Sequence, residues 1–160
     1  IIQRFASITN LADSSTSYRI NIWQGTVRML EDFWPFGVGL GQQAYNVVYP
    51  IYGLNAVFAP HAHSLYLQVL SEMGIAGFAI LIGFCLSFFA TAYVAMKKAK
   101  GSRTMWFIIA MMGAVGAFLF EGIFEYIWYN YRVFLLFFIT LGIVMALCRD
   151  VIREGELAFD

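Results

Sequence analysis

From Gly74 to Met96 the chain runs for 23 residues without an aspartate, glutamate, lysine or arginine. Wound as a helix, that stretch is about 34 Å long and covers a hydrocarbon core of roughly 30 Å. Two further uncharged runs, Thr104 to Phe120 and Val133 to Cys148, come to about 25 Å and 24 Å, short of a comfortable crossing by themselves. Their ends carry rings: Trp106 opens the first, and Tyr126, Trp128, Tyr129 and Tyr131 fill the gap between the two. Amphipathic rings gather where a chain meets lipid headgroups. The pattern predicts an all-α, polytopic membrane chain with three spans, about 74–96, 104–124 and 131–148. Its charged share of 12% is half the roughly 25% of a soluble domain.

Charge also sets orientation and excludes partners. Ten basic residues balance ten acidic ones, which removes the long-range attraction that nucleic-acid binding requires. Lys97, Lys98, Lys100 and Arg103 lie in the link between the first two spans, and Arg149 and Arg153 follow the third. The excess of positive charge in cytoplasmic loops then predicts a cytoplasmic link at 97–103 and a cytoplasmic tail at 149–160. Residues 1–65 become an extracytoplasmic helical loop carrying the site, and 66–160 the membrane region of a multi-pass cell-membrane protein. The chain opens on Ile1 with no signal-peptide pattern, and is expected to be a piece of something longer. Cys85 and Cys148 sit in apolar runs and suggest neither disulfide nor zinc site.

The outward loop holds the chemistry-bearing residues. Ser14 to Ser17 offer N-caps, and Tyr18 to about Asp32 has helical periodicity before Pro35 and a run of glycines. Asn21, Gln24, Arg28, Glu31 and Asp32 share a polar sector, opposite Ile22, Trp23, Thr26, Met29 and Leu30. Arg28 reads as a solvated charge. Arg19 falls on the apolar side, where a guanidinium needs a carboxylate or phosphate to offset desolvation, unless it snorkels to water. Glycines 37, 39 and 41 mark a turn between helices at a membrane surface; without a preceding strand they do not form a dinucleotide motif.

His61 and His63 are the only histidines. A His-x-His pair can ligate zinc, but a catalytic zinc site needs a third ligand, and no further Cys or His stands ready. A carboxylate could fill that place, which leaves a metal site as the disfavoured alternative. General acid–base work suits imidazole near neutral pH, and a helix cap or loop hydrogen bond is the plainer role for either ring. Glu121 and Glu125 are one turn apart at the outward end of the second span. Pairing with nearby Arg132 is their structural reading, and substrate contact their functional one.

In order, the chain shows Arg-x-x-x-Trp at Arg19 to Trp23, Pro-Phe-Gly-Val-Gly-Leu-Gly at 35–41, His-Ala-His-Ser-Leu-Tyr-Leu-Gln at 61–68 and Glu-Met-Gly-Ile-Ala-Gly at 72–77. Over residues 4 to 95 this set resembles the O-antigen ligase and O-antigen polymerase superfamily, in the C-terminal portion bearing its large outward loop. One position departs: the family's His-Asn pair reads His63-Ser64 here. The resemblance implies a glycosyltransferase, polymerase or ligase, that moves a glycan from a polyprenyl-diphosphate carrier to an acceptor hydroxyl on a glycan or lipid. It implies no metal or nucleotide cofactor. Carried over by motif, Arg19 holds the diphosphate and His63 activates the acceptor, with His61 as second choice; Arg28, Glu121, Glu125 and Arg132 are further substrate-binding candidates. The family's missing N-terminal transmembrane helices would be needed for activity. The alternative is a non-catalytic membrane component, a carrier of lipid-linked glycan or an inactive fragment.

Overall fold

The computed structural model describes residues 14–54 and 58–157, and no strand occurs among them. Five α-helices follow in order: α1 (Ser14–Phe33), α2 (Gln42–Tyr52), α3 (Leu65–Lys98), α4 (Arg103–Phe124) and, after a 3-10 turn at Ile127–Tyr129, α5 (Tyr131–Leu157). The all-α expectation holds. Helices α3, α4 and α5 each contain a window long and apolar enough to cross a membrane. At 22 residues, α4 extends about 33 Å. It reaches beyond its uncharged run because Arg103 and Glu121 sit near its ends, where long side chains can reach water. The chain forms two compact units, residues 1–78 with 124–126, and 79–123 with 127–160.

The first unit is built on α1 and α2. Ile22, Thr26, Met29 and Leu30 are buried, while Gln24, Arg28, Glu31 and Asp32 are exposed, as the helical projection requires. Ser14 to Ser17, expected ahead of this helix as caps, instead form its first turn. Serine loses only about half a kcal/mol against alanine there.

Helix α2 was not anticipated from sequence. It buries Tyr45 and Tyr49, whose rings stack at 5.1 Å. The Tyr45 hydroxyl shares a 2.7 Å hydrogen bond with the Thr26 hydroxyl. Gly25 makes room for Tyr49: a Cβ there would lie 3.0 Å from its Cε2. The Tyr52 hydroxyl donates to Asp32 at 2.6 Å, tying the last turns of the two helices together.

Helix α3 is broken at Gly74, whose φ of 64° lies in the left-handed region. In an unbroken helix the Ser71 carbonyl would accept from the Ile75 amide. Here the Ile75 amide donates to Trp34 O at 2.9 Å, and Val38 N takes Ser71 O at 2.7 Å. Gly39 N similarly donates to Glu72 O at 3.2 Å. The α1–α2 loop is thereby hydrogen-bonded into the break. The approach is too close for side chains: a Cβ on Gly37 would lie 2.5 Å from Glu72 O, and one on Gly74 would strike Pro35 O. These amides serve the chain itself, which supports the structural reading of the glycine-rich turn.

In the second unit Phe88, Ala92, Ala95, Ile108, Val115, Phe137, Leu141, Val144 and Cys148 form a core. Phe118 stacks on Phe137 at 4.6 Å, and Lys98 Nζ donates to Ile152 O at 3.1 Å. Small residues at Ala92 and Ala95 let helices pack closely, as membrane helices require when apolar burial alone provides little drive.

Gly37→Ala should lower stability by roughly 1–3 kcal/mol, since strained φ and backbone collision add. Gly83→Ala, where a Cβ meets nothing within 4 Å, should not. Thermal melting of the two purified variants in the same detergent checks this; equal melting temperatures would show that the loop is not held by the break.

Candidate active site

Four of the predicted residues converge in the first unit. Arg19 lies in the second turn of α1, and one turn on, Trp23 shares its face. Both reach the same place by different means: Arg19 Nη2 meets Glu125 Oε2 at 3.3 Å, and Trp23 Nε1 donates to the His63 carbonyl at 3.1 Å. The i to i+4 spacing of Arg-x-x-x-Trp thus fixes one charged and one hydrogen-bonding arm at the site.

His63 precedes α3 with a φ of 46° and is the one non-glycine with positive φ among the described residues. That conformation costs about 1–3 kcal/mol and persists when its surroundings over-determine it. Three contacts do so. Trp23 binds its carbonyl, its amide donates to His61 Nδ1 at 3.2 Å, and its ring Nδ1 lies 3.0 Å and 3.2 Å from the two oxygens of Glu125. Because an ionised carboxylate only accepts, Nδ1 is the donor in this contact. Tyr18 packs edge-on against the ring at 5.8 Å.

The loop before α3 is anchored by Gln68, fully buried. Its Oε1 accepts the Ala62 amide at 2.7 Å and its Nε2 donates to Glu72 at 2.7 Å. Ser64 starts the helix: its carbonyl accepts Gln68 N at 3.0 Å, and its hydroxyl accepts Leu67 N at 3.5 Å. Asparagine and serine are comparable N-caps, so serine in the His-Asn place keeps that function. Trp23, Gln68 and Tyr18 were not singled out as site residues. Trp23 and Gln68 lie inside the motif runs, but their hydrogen bonds depend on tertiary contacts.

Glu125 follows α4, and its carboxylate is the hub. It faces Arg19, His63 and, at 4.0 Å, His61 Nδ1, and it accepts the Tyr126 amide at 3.0 Å. This corrects the expected Glu125–Arg132 pair. Arg132 belongs to the second unit, where its Nε donates to the Tyr131 hydroxyl at 3.3 Å. Glu121 is also in the second unit, and is exposed. Arg28 is exposed beside Trp23, Gln24 and Val27, consistent with a solvated charge.

The buried His61 ring lies 4.2 Å from that of His63 and 5.7 Å from Tyr126. Burial chiefly, then the neighbouring His63, pushes its pKa down to about 4 against a smaller opposing effect of Glu125. His61 is therefore neutral near pH 7. For Glu125, burial works upward, but the His63 hydrogen bond and charge, the Tyr126 amide and His61 outweigh it and hold the carboxyl below its ordinary value. Burial, aided by Glu72, pushes the Tyr126 hydroxyl up to about 12.

His61, His63 and Glu125 can each turn one ligand atom to a common cation, all within 4.8 Å of one another. The third ligand that sequence lacked is thus a carboxylate. Two features oppose a resident cation: Arg19 already lies on that carboxylate, and His61 Nδ1 already accepts the His63 amide. The donors suit a hydrogen-bonded Glu–His pair better than a metal.

Acid should weaken the fold here. An unfolded His61 protonates near 6.5 and the folded one near 4, so stability is lost as pH falls from about 6.5 towards 4, on the order of 3 kcal/mol. Glu125, with its lowered folded pKa, adds loss below about 4.5. Melting temperature should fall over this range, and His61→Gln should flatten the upper part. An unchanged slope in that variant would mean that His61 is not buried as described.

A family model, Wzy_C, O-antigen ligase, matches residues 1–82 of the 160. No curated protein and no solved structure gave a match. Arg19, His61 and His63 lie within the matched segment, whereas Glu125 lies beyond it. With half its length matched and three helices fit to cross a bilayer, the chain is a membrane protein of the O-antigen ligase family, with an O-antigen ligase-type function in polysaccharide biosynthesis.

Proposed function

We propose that the site transfers a glycan from a polyprenyl-diphosphate carrier to an acceptor hydroxyl, with His63 as general base and Arg19 as diphosphate ligand. The observation that carries this reading is the meeting of Arg19 and His63 on one carboxylate, Glu125. Glu125 orients the ring through Nδ1, leaving Nε2 to take the proton of the acceptor hydroxyl. The acceptor oxygen bonds to the anomeric carbon as the bond from that carbon to the diphosphate oxygen breaks. The leaving diphosphate takes the electron pair, and a guanidinium can hold it through two parallel hydrogen bonds. Glu125 opposes the charge that the ring acquires. In the absence of donor the same carboxylate satisfies Arg19, standing where phosphate oxygens would bind.

Family membership supports a glycosyltransferase in coarse terms. The outward orientation of the site rests on the basic link at 97–103. In a background lacking Cys85 and Cys148, Gln24→Cys should react with an impermeant thiol reagent in intact cells and Lys98→Cys should not; the reverse would put the site in the cytoplasm.

In the full-length protein His63→Ala should lower transfer roughly 10²- to 10⁴-fold at equal membrane abundance. Glu125→Gln should lower it less, and Arg19→Lys should weaken donor binding less than Arg19→Ala. Arg28→Ala should be close to wild type. Activity is read as glycan product from a defined polyprenyl-diphosphate donor, which also separates bond formation from mere carriage of lipid-linked glycan. Wild-type turnover by His63→Ala would remove the base, and loss of turnover on chelation, restored by zinc, would favour metal catalysis at the same three side chains.

A further inference from the structure

The 39 residues from Phe33 to Ser71 contain no aspartate, glutamate, lysine or arginine, yet the 19 at 34–52 lie in a loop and a helix outside the spanning helices. A water-facing segment of that length would carry charge at an ordinary frequency, about one residue in four. Its exposed side chains are large and apolar: Phe36 is 88% exposed, Leu40 74%, Val47 76%, Ile51 78% and Trp34 54%. On α2, Val47 and Ile51 point away from the buried Tyr45 and Tyr49, and the exposed stripe they form with Gln43 and Pro50 has no charge. On α1, packed against α2, the exposed stripe is Gln24, Val27, Arg28, Glu31 and Asp32, three of its five residues charged. One helix of the pair presents charge, and the other presents hydrocarbon.

The loop also has a fixed level. Ile75 N to Trp34 O, Val38 N to Ser71 O and Gly39 N to Glu72 O hold residues 34–39 against the break at Gly74, where the long uncharged part of α3 begins. In a bilayer whose outer boundary falls at Gly74, Phe36 at that level would meet the junction of headgroups and acyl chains, with Trp34 beside it where indole is favoured. We infer that the loop from Trp34 to Leu40 and the outer face of α2 lie in the lipid interface, on the bilayer side that carries the site. The segment is a monotopic anchor, with its apolar face buried by lipid and the charged face of α1 turned to water. The anchor would keep Arg19 and His63 near the headgroup plane, the depth at which a lipid-borne phosphate sits.

The inference does not depend on the reaction proposed. It is tested in the full chain, reconstituted in phosphatidylcholine–phosphatidylglycerol vesicles, with a fluorophore on single cysteines in the background without native ones. Phe36→Cys, Val47→Cys and Ile51→Cys should lose most of their emission to lipids bearing a nitroxide near the glycerol end of the chain, and little to aqueous iodide. Gln24→Cys and Arg28→Cys should behave in the opposite way. Iodide quenching at 36, 47 and 51 equal to that at 28 would put the face in water. Insensitivity to both quenchers would show that protein covers it, whether other helices or a second copy. Either result overturns the inference, and neither touches the glycan-transfer reading.

Discussion

Everything in the first unit hangs on an exchange of backbone hydrogen bonds at Gly74. A helix that continued unbroken would use the Ser71 and Glu72 carbonyls internally, and the loop after α1 would have to find other partners for its amides. By breaking there, α3 offers two carbonyls to the loop's amides, and its own Ile75 amide donates to the loop carbonyl of Trp34. Buried backbone groups must be satisfied somewhere, and here two segments more than thirty residues apart satisfy each other. Since α1 carries Arg19 and Trp23 while the loop ahead of α3 carries His61 and His63, this junction is what brings the two halves of the site into one place.

The second organising element is a single carboxylate. Glu125 receives a guanidinium and a ring nitrogen of an imidazole, and the surroundings give the two histidines different partners. His61, buried and accepting the His63 amide, stays neutral and shapes the loop. His63 is seated on the carboxylate and is the ring to which the proposed mechanism assigns the proton transfer. Two histidines one residue apart thereby acquire different chemistry from their surroundings alone.

The spans, the helical face of α1 and the need of Arg19 for an acceptor were all legible from composition and periodicity, because those properties are local. The identity of the acceptor was not. Glu125 is 106 residues away, and sequence proximity pointed instead to Arg132, which the neighbouring Tyr131 satisfies. The missing third member of the His-x-His group escaped for the same reason. Helix α2 was missed although Tyr45, Val48, Tyr49 and Tyr52 recur at helical spacing. Its neighbouring glycines and internal Pro50 argue for turns, and packing of the tyrosines over Gly25 and Thr26 overrides them.

The distance between Arg19 and Glu125 along the chain also bears on how the protein is made. Synthesis proceeds from the N-terminus, so α1 and both histidines exist well before the carboxylate that joins them. Until α4 has been made, Arg19 lacks this acceptor and Nδ1 of His63 lacks its carboxylate partner. The cluster is therefore completed late, by the residue that follows α4. A nascent chain stalled before that point would hold its motif residues but not the carboxylate that joins them.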